Sequence, residues 1–572
     1  MVLGSRRRSD QARLSRTVVI AAKLIAAVGL LAATLGLLTR HAGPIHYSNI
    51  GQPFLLDLAS GWYSEFYWVV RNTAAQSGVK TLAYVAIYMV CVAAVFCVPF
   101  ISNTILRCVL SAALVIGMGY DVTLYDIGGE MPSYATTQTI FSNAVFHLEG
   151  TAETYSSQIG VNLALGLLAL LIFCWPSPVR RESTGRIALV PVVLAVLMVA
   201  AITYKTDGYA SGFPSPFASY VNAYRIAKGT KTEPPRDVTY AATPSPSLRK
   251  VVFIIDESVR GDYLSMNNPA VGTTPFLVSR SGDIDNFGIA AATANCSYQA
   301  RMALRFGSRQ ADIERDGKPA YPGPTLWQYA RRAGLRTVYI DTYGAATRLT
   351  NGMNNEELAF VDQRIVIDDM PQYERDVHVA KQLRQLLADP TPMFILVEKY
   401  GIHVPYSAQY PATANVFGAK RAFDLGDRPN LVAQYRDAVK WSVDDFFAKV
   451  MAEPLPPATL MIYTSDHGQS LSENVTLQTH CSPSARVIRP EANVPLFSIT
   501  SDPGWRTTMS RAAAEQRDLA SLFDIFPTLL AAMGYDSAWI AGQFKYSLTS
   551  VLPKDRKRLF WAMDALRPFD GD

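Results

Sequence analysis

Two short apolar runs in the second half of the sequence stop abruptly at polar residues. The run VVFII is followed by Asp256 and Glu257. The run TLMIY leads to Asp466 and His467. A buried strand that ends in this way delivers the polar side chains to its exposed end. The alternatives are a helix cap for the acidic pair and a simple strand-closing turn for Asp-His-Gly.

These side chains are of the types that bind metal ions. One carboxylate from the first pair, together with Asp466 and His467, gives three hard or borderline ligands. Three such ligands are the usual protein complement of a catalytic zinc ion that keeps an open position. Manganese is compatible with the same ligand types, so the ligands alone do not separate the two metals.

The histidines of this half of the chain collect at similar positions. Four histidines lie after residue 250. Three of them lie at or near turns that follow apolar runs: His403, His467 and His480. Histidines scattered over a protein surface would rarely fall this way. The cluster therefore favours a metal or catalytic site over ordinary solvated side chains.

Ser297 has the setting of a nucleophile. In AATANCSYQARMALRFG it follows small residues and begins a stretch typical of a helix. A hydroxyl at a helix N-terminus faces the positive end of the helix dipole, where an attached phosphate is stabilised. Coordination to a metal would lower the pKa of the hydroxyl and let it attack at neutral pH. A plain helix N-cap is the structural alternative.

Alternating strand-like and helix-like segments must position these residues. The helix-like stretches include TLWQYARRAG at 325–334, closed by Gly334, and DVHVAKQLRQLLAD at 376–389. Short continuous apolar runs are typical of parallel strands covered on both faces. The pattern predicts a doubly wound α/β domain with ligands beyond the carboxyl ends of its strands. The predicted strands are 251–255, 336–341, 393–398, 459–463 and 494–499.

The first 205 residues or so have the composition of a membrane domain. Most charges lie in the gaps between apolar runs long enough to cross a bilayer. Arg107 falls inside the third run, where an arginine near a helix start can snorkel to the headgroups. A soluble helical core is the alternative. The five predicted spans are 18–38, 81–100, 102–120, 158–176 and 187–204.

Basic residues set the predicted orientation. Arginines precede the first run and fill the fourth connection, whereas residues 121–157 contain no Lys or Arg. The positive-inside bias places the N-terminus in the cytoplasm, and five spans place the second half of the chain on the far side.

These arginines account for most of the net charge of +5, so the charge does not indicate nucleic-acid binding. Two cysteines, Cys296 and Cys481, fall in the exported part and could form a disulfide.

Residues 206–249 connect the two parts. Aromatic residues at near-helical spacing, followed by basic ones, are typical of a segment lying on the membrane surface. Proline and small polar residues then indicate a linker. We expect a transmembrane domain at 1–205, a bridging segment and linker at 206–249, and a soluble catalytic domain at 250–572.

The order of these features resembles a known family. Five spans, a bridging segment, a strand followed by E-S-x-R, a Ser at a helix start, TLWQYARRAG, GIHVP and SDHGQSLSEN resemble the phosphoethanolamine transferases of the Gram-negative inner membrane. These belong to the alkaline phosphatase and sulfatase superfamily. The resemblance implies an N-terminal five-helix transmembrane bundle followed by an α/β/α sandwich of the alkaline phosphatase/sulfatase type. The catalytic domain would then be periplasmic.

The resemblance also implies roles for individual residues. The family's zinc is held by a Glu, a Thr nucleophile and an Asp-His pair, with two further histidines nearby. By motif, the zinc ligands fall on Glu257, Ser297, Asp466 and His467, and the further histidines on His403 and His480.

Three positions depart from the family pattern. Ser297 stands where the family has Thr, and Thr293 lies close enough to be a rival nucleophile. Asp256 stands where the family usually has Gly, which leaves open which acid binds the metal. The exported part has two cysteines, whereas this domain is commonly rich in disulfides.

The implied reaction is a two-step transfer. Ser297 attacks the phosphorus of a membrane phospholipid, phosphatidylethanolamine, and the group then passes to lipid A, core oligosaccharide or another periplasmic glycan. His403 or His480 would position the phosphate or act as general acid and base. Arg260 or Arg301 could hold the phosphate, or could simply pair with a surface acid.

Three other functions stay open. A phosphoglycerol transferase of the lipoteichoic acid synthase type would share the spans and the zinc site. A sulfatase is disfavoured because CSYQAR lacks the proline of the Cys/Ser-x-Pro-x-Arg motif. A non-enzymatic, membrane-anchored binding protein would use the zinc only structurally.

Overall fold

The chain divides into two compact units, an N-terminal unit of Met1–Ile140 and Tyr155–Lys231 and a C-terminal unit of Phe141–Thr154 and Thr232–Asp572. The computed structural model describes residues 78–128, 137, 155–175, 187–205, 213–228, 236–311, 323–344, 349–473, 478–482, 487–563 and 565–570.

Helices make up the described part of the N-terminal unit. They are α1 (Gly78–Cys97), α2 (Thr104–Gly128), α3 (Ser156–Cys174), α4 (Leu189–Lys205) and α5 (Phe217–Lys228), with a 3₁₀ turn at Val98–Phe100. Leu82, Ile105 and Leu171 are exposed on these helices, whereas Cys91 and Ala195 are buried between them. Apolar side chains on an exposed surface are typical of helices that contact lipid.

Two stretches in the described part of this unit are long and apolar enough to cross a membrane. They are Thr81–Phe100 and Thr104–Ile127. The first coincides with the predicted span 81–100. The second is longer than the predicted 102–120, because the helix continues through polar residues to Gly128.

Two further predicted spans correspond to shorter apolar helices. Ile159–Cys174 lies at the predicted 158–176, and Leu189–Lys205 at the predicted 187–204. The predicted span 18–38 lies outside the described residues. A bundle of five membrane-spanning helices therefore stays a prediction.

Arg107 does not snorkel toward headgroups, as its place near a helix start suggested. Its side chain is buried and donates to the carbonyls of Ile101 at 2.6 Å and Cys174 at 3.2 Å. The last carbonyls of a helix lack partners within the helix. Arg107 thus satisfies the carbonyl end of α3, and the polar contact explains an arginine inside an apolar run.

A seven-stranded sheet forms the centre of the C-terminal unit. Its strand order is β2-β7-β6-β1-β5-β3-β4, and a separate hairpin pairs β8 with β9. Every residue of β1, β5, β6 and β7 is buried, as expected of a sheet covered on both faces. The strands are β1 (Lys250–Asp256), β2 (Ile284–Ala291), β3 (Arg336–Asp341), β4 (Gln363–Val366), β5 (Met393–Glu398), β6 (Thr459–Ser465), β7 (Asn493–Thr500), β8 (Leu559–Ala562) and β9 (Ala565–Pro568).

All five predicted strands are present, but one prediction of direction is wrong. Strand β7, predicted at 494–499 as a parallel strand, is antiparallel to both β6 and β2. An apolar run buried on both faces looks the same in either direction. Strand β2 was not predicted because Asp285, Asn286 and Gly288 interrupt its apolar pattern, and β4 is a four-residue, half-buried edge strand.

The helices of the C-terminal unit include both predicted ones. Residues Leu326–Arg332 form α8, which Thr325 caps by accepting from the Gln328 amide, and Gly334 follows with a φ of 75°. A residue with positive φ is a common end for a helix. The predicted 376–389 helix begins earlier, at Gln372. Within the described residues the helices of this unit are α6 (Pro275–Ser279), α7 (Ser297–Phe306), α8, α9 (Asn355–Leu358), α10 (Gln372–Ala388), α11 (Arg428–Val439), α12 (Asp445–Val450), α13 (Pro503–Glu515), α14 (Ile525–Ala532) and α15 (Ser537–Gln543).

The register of the central strands brings the acidic residues together. Strands β1 and β6 are parallel neighbours in which Asp256 pairs with Ser465. The next residues, Glu257 and Asp466, therefore leave the sheet side by side. Strand β5 lies on the other side of β1 and ends at Glu398, at the same edge of the sheet.

Candidate active site

Three side chains from separate elements converge at the carboxyl end of the sheet. Glu257 follows β1, His467 follows β6, and Ser297 is the first residue of α7. The Ser297 Oγ lies 3.0 Å from His467 Nε2 and 3.2 Å from Glu257 Oε2. His467 Nε2 lies 3.2 Å from Glu257 Oε1. All three are buried, so the predicted trio forms one small polar site.

Hydrogen bonds fix the orientation of His467 and Asp466. His467 Nδ1 donates to the Gly468 carbonyl at 2.7 Å, so Nε2 is the ring nitrogen that faces Ser297. Asp466 Oδ1 accepts from the backbone amide of His467 at 2.8 Å and from that of Ser258 at 3.3 Å. Asp466 Oδ1 and His467 Nε2 are 3.8 Å apart. Both side chains are thus held in place before any ligand arrives.

Arg301 is fully buried behind the site and binds three carboxylates. Its Nη2 donates to Glu257 at 2.8 Å, its Nε to Asp466 at 2.9 Å and its Nη1 to Glu398 at 3.0 Å. Its guanidinium also lies 4.7 Å from the centre of the Tyr343 ring. The predicted role of Arg301 in holding substrate phosphate does not fit this arrangement, because each nitrogen is occupied by a carboxylate. Arg301 instead orients Glu257 and Asp466.

Glu398 was not among the predicted site residues. Its carboxylate binds Arg301 and, at 3.4 Å, Arg305, and it accepts from the Tyr339 hydroxyl at 2.9 Å. Arg305 in turn donates to Glu357 at 2.7 Å. A signal for Glu398 was present in the sequence, because MFILVE ends in an acid just as the first strand does. Nothing in the sequence indicated its arginine partners.

Of the two acids that follow the first apolar run, Glu257 faces the site. Asp256 forms an ion pair with Lys399 and accepts from the Tyr463 hydroxyl at 2.8 Å. It also accepts from the Glu257 amide at 3.0 Å. This geometry favours Glu257 over Asp256 as the metal-binding acid.

The two further histidines lie next to this trio. The His480 ring stacks on that of His467 with centroids 4.6 Å apart, and His403 meets His480 edge to face at 5.4 Å. His480 Nδ1 is 3.1 Å from Gln469 Oε1. The structure therefore brings both predicted histidines to the site.

A disulfide joins the two loops that carry Ser297 and His480. Cys296 is bonded to Cys481, with Cα atoms 4.6 Å apart, so the hypothesis of a disulfide is confirmed. Cys296 precedes Ser297, and Cys481 follows His480. The Cys481 amide also donates to the Asn295 carbonyl at 2.8 Å. The positions of the nucleophile candidate and of His480 are thus tied together covalently.

The site strongly favours positive charge. Burial alone would raise the pKa of Glu257, but His467 and Arg301 hold that pKa well below its ordinary value. Burial disfavours a charged imidazole, yet Asp466 and Glu257 raise the pKa of His467 to about 9. Burial and the neighbouring Glu257 raise the pKa of Asp466. The carboxylates that favour a proton on His467 would also stabilise a metal cation bound at this position.

Arg260 and Thr293 are engaged elsewhere. Arg260 forms ion pairs with Asp262 at 2.6 Å and Glu473 at 2.7 Å, so the phosphate-holding role predicted for it would require breaking those pairs. The Thr293 hydroxyl donates to the Ala300 carbonyl at 3.4 Å. The contact of Ser297 with His467 favours Ser297 over Thr293 as the nucleophile.

A comparison with known families agrees with this geometry. The sequence model of the family described as Sulfatase matches residues 249–535, half of the 572-residue chain. The chain belongs to the sulfatase family.

Relatives of this sulfatase-family chain carry transferase names. It is 23% identical over 376 residues to "Phosphatidylethanolamine transferase Mcr-1" of Escherichia coli, which covers 59% of this chain and 69% of that protein. It is also 23% identical over 436 residues to "Kdo(2)-lipid A phosphoethanolamine 7''-transferase" of Escherichia coli K12, covering 66% and 75%. The predicted resemblance to phosphoethanolamine transferases, and with it the predicted enzyme class, is confirmed.

A solved structure shares the fold. It is the integral membrane protein lipooligosaccharide phosphoethanolamine transferase A (EptA) of Neisseria meningitidis, with a TM-score of 0.59 and 18% identity. The likeness covers 84% of this chain and 95% of that one. The predicted α/β domain of the alkaline phosphatase/sulfatase type is thereby confirmed.

The residues of this sulfatase-family site fit a divalent metal ion by type and by charge. Glu257, His467 and His480 each offer a ligand atom, and these atoms lie within 4.8 Å of one another. In the buried cluster, four carboxylates face two guanidiniums, those of Arg301 and Arg305. A metal-bound His467 is neutral, so a divalent cation would balance this excess of two negative charges.

Proposed function

We propose that this protein transfers phosphoethanolamine from phosphatidylethanolamine to lipid A, core oligosaccharide or another periplasmic glycan, through a phosphoserine ester on Ser297. One observation carries the proposal. The Ser297 Oγ lies 3.0 Å from His467 Nε2 and 3.2 Å from Glu257, at the N-terminus of a ten-residue helix. The names of the relatives supply the transferred group and the class of acceptor.

Four side chains would hold the metal ion: Glu257, Ser297, Asp466 and His467. Zinc suits this set of carboxylate, imidazole and hydroxyl donors, and manganese is the alternative. When bound, the ion supplies Lewis-acid stabilisation of charge and lowers the pKa of the Ser297 hydroxyl.

In the first step the Ser297 oxygen forms a bond to the donor phosphorus, and the bond from phosphorus to the diacylglycerol oxygen breaks. Ser297 gives up its proton to solvent before the attack. The amides of the first turn of α7 face the phosphate oxygens and stabilise their charge. His403 or His480 gives a proton to the departing diacylglycerol oxygen.

In the second step an acceptor oxygen attacks the same phosphorus from the site that diacylglycerol has left. The histidine that gave its proton takes one from the acceptor, and the Ser297 oxygen departs and regains a proton. Arg301 and Glu398 stay in place throughout and keep Glu257 and Asp466 oriented.

The proposed setting is the inner membrane, with the N-terminus in the cytoplasm and the catalytic domain, residues 250–572, in the periplasm. A domain of five spans at 1–205 and a surface segment and linker at 206–249 would place the catalytic domain where donor and acceptor lipids already lie. The Cys296–Cys481 disulfide supports this setting, because disulfides persist in oxidising compartments.

The test is a transfer assay with the purified full-length protein in lipid vesicles. Phosphatidylethanolamine labelled in its headgroup is the donor, lipid A is the acceptor, and product mass is the readout. We expect the label on lipid A, its loss in Ser297→Ala, and its loss after chelation with recovery on adding zinc. Transfer from phosphatidylglycerol instead would establish the phosphoglycerol alternative. A Ser297→Ala protein that keeps both its metal content and its cellular phenotype would support the binding-protein alternative.

A further inference from the structure

A cavity in the C-terminal unit is lined by none of the proposed metal or catalytic residues. Its volume is about 810 Å³, within the range of small-molecule sites. It opens beyond the C-terminal end of α7, the helix that begins at Ser297. Ten helical residues span roughly 15 Å, so the cavity is separate from the candidate active site. Its walls come from Arg309–Ala311, Phe523–Asp524, Ala541–Tyr546 and Pro553–Lys557, apart from Lys554.

The cavity carries basic side chains on several segments of its described lining. Lys545, Arg556 and Lys557 line it together with two described acids, Asp524 and Asp555. Asp524 is already neutralised, because Arg556 binds both of its oxygens at 2.6 and 2.8 Å. Among the described residues, no carboxylate lies within 4.0 Å of the ammonium groups of Lys545 and Lys557. Such a concave, cationic surface attracts anions.

Aromatic rings form a fixed apolar surface beside these charges. The Arg556 guanidinium lies 4.6 Å from the Tyr546 ring centre, and the Lys545 ammonium lies 5.2 Å from it. The Phe544 ring packs 5.5 Å from that of Phe526. Because Arg556 is held by a buried Asp524, Tyr546 rests on a rigid support. A ligand that packs against Tyr546 therefore loses little energy to reordering of that ring.

The rim is also tied together by hydrogen bonds. Arg309 donates to the Gln543 carbonyl at 3.0 Å, and Gln310 donates to the Lys557 carbonyl at 3.2 Å. The segment after α7, the end of α15 and the segment before β8 therefore form one continuous wall.

We propose that this cavity binds the anionic sugar of a phosphorylated glycan. The lysines would contact the phosphate, and the aromatic rings would pack against the apolar face of the sugar ring. The choice of a glycan rests on the proposed function, in which a phosphorylated glycolipid is the acceptor. Binding of a sugar in this cavity does not require transfer of phosphoethanolamine. A failure of the binding proposal can therefore be distinguished from a failure of the proposed function.

Calorimetric titration of the full-length Ser297→Ala protein in detergent tests the proposal, because this variant cannot turn over. The probes are glucosamine 1-phosphate, glucosamine and inorganic phosphate. We expect glucosamine 1-phosphate to bind at least tenfold more tightly than either other probe. Tyr546→Leu should lower the affinity for glucosamine 1-phosphate and leave the affinity for inorganic phosphate unchanged.

A lysine pair and a matched control complete the test. Lys545→Gln with Lys557→Gln should weaken glucosamine 1-phosphate at least tenfold. Lys381→Gln with Lys420→Gln, two exposed lysines elsewhere in the same unit, should leave the affinity unchanged. Equal effects of the two pairs, or no binding of glucosamine 1-phosphate at all, would overturn the proposal. Equal binding of inorganic phosphate and glucosamine 1-phosphate would overturn its sugar component.

Discussion

The guanidinium of Arg301 donates to the carboxylate of Glu257 across 2.8 Å, and both groups are buried. The same guanidinium binds Asp466 and Glu398. Arg301→Met would leave three buried carboxylates without this partner, at a cost of about 3–5 kcal/mol. We expect the melting temperature of the C-terminal unit, measured in detergent, to fall by roughly 5 °C or more.

Arg280 provides the matched control for that substitution. It pairs with Asp283 at 2.7 Å on the surface, where both side chains are 40% or more exposed. Exposed pairs contribute at most about 1 kcal/mol, so Arg280→Met should change the melting temperature little. Equal shifts for Arg280→Met and Arg301→Met would show that Arg301 does not hold the site together.

Reduction of the Cys296–Cys481 disulfide should impair both stability and transfer. The bond closes a separation of 185 residues and links the Ser297 and His480 loops. Loss of such a bond typically costs about 2–5 kcal/mol. We expect a dithiol reductant to lower the melting temperature and activity of the wild type to those of Cys481→Ser, on which the reductant has no further effect. Cys91→Ser, a change at a free cysteine, is the control. Full activity of wild type whose thiols are shown to be reduced would contradict this role.

Substitutions at Ser297 and Thr293 separate the two candidate nucleophiles. Ser297→Ala should lower transfer about 10³-fold or more, the scale seen when a nucleophile is removed. Ser297→Thr keeps a hydroxyl at the helix N-terminus and should retain part of the activity. Thr293→Val loses only a hydrogen bond to the Ala300 carbonyl and should remain active. The reverse pattern, with Thr293→Val inactive and Ser297→Ala active, would move the nucleophile to Thr293.

Stability should also depend on pH through Glu491. Its carboxylate accepts from the Asn295 side chain at 2.9 Å and from the Ser482 amide at 3.1 Å, and burial raises its pKa to about 7. The folded state therefore holds this proton up to about pH 7, whereas the unfolded state releases it near the ordinary value of 4.5. Stability from this group is full below that value and is lost as the pH rises to about 7.

The substitution Glu491→Gln isolates that contribution. Melting temperatures of the two proteins are compared from pH 4.5 to pH 8. We expect the wild type to lose stability relative to Glu491→Gln across this interval, by on the order of 2–3 kcal/mol. Parallel curves for the two proteins would show that Glu491 keeps an ordinary pKa.

The sequence was most informative where function depends on the ends of strands. Glu257 and Asp466 could be placed together because parallel neighbouring strands end at one edge of a sheet. The direction of β7 could not be predicted, because a run buried on both faces carries no directional signal. The edge strand β4 could not be predicted either, because four half-buried residues are too few to show a recognisable hydrophobic pattern.

The sequence did not predict which distant residues the buried arginines contact. Arg301 was one of two candidate phosphate ligands, yet its partners Glu257, Glu398 and Asp466 come from three separate strand ends. Arg107 looked like a snorkelling residue, yet its partner, the Cys174 carbonyl, is 67 residues away. Both arginines are explained only by groups that the fold brings to them.

The most direct test of the account is mass spectrometry of the peptide that contains Ser297. Full-length protein is incubated with phosphatidylethanolamine without an acceptor and quenched in acid, with His467→Ala treated in parallel. We predict a phosphoethanolamine ester on Ser297 in the wild type and no adduct in the variant. A transfer-active wild type with its adduct on Thr293, with a phosphoglycerol group on Ser297, or with no adduct on this peptide would contradict the account.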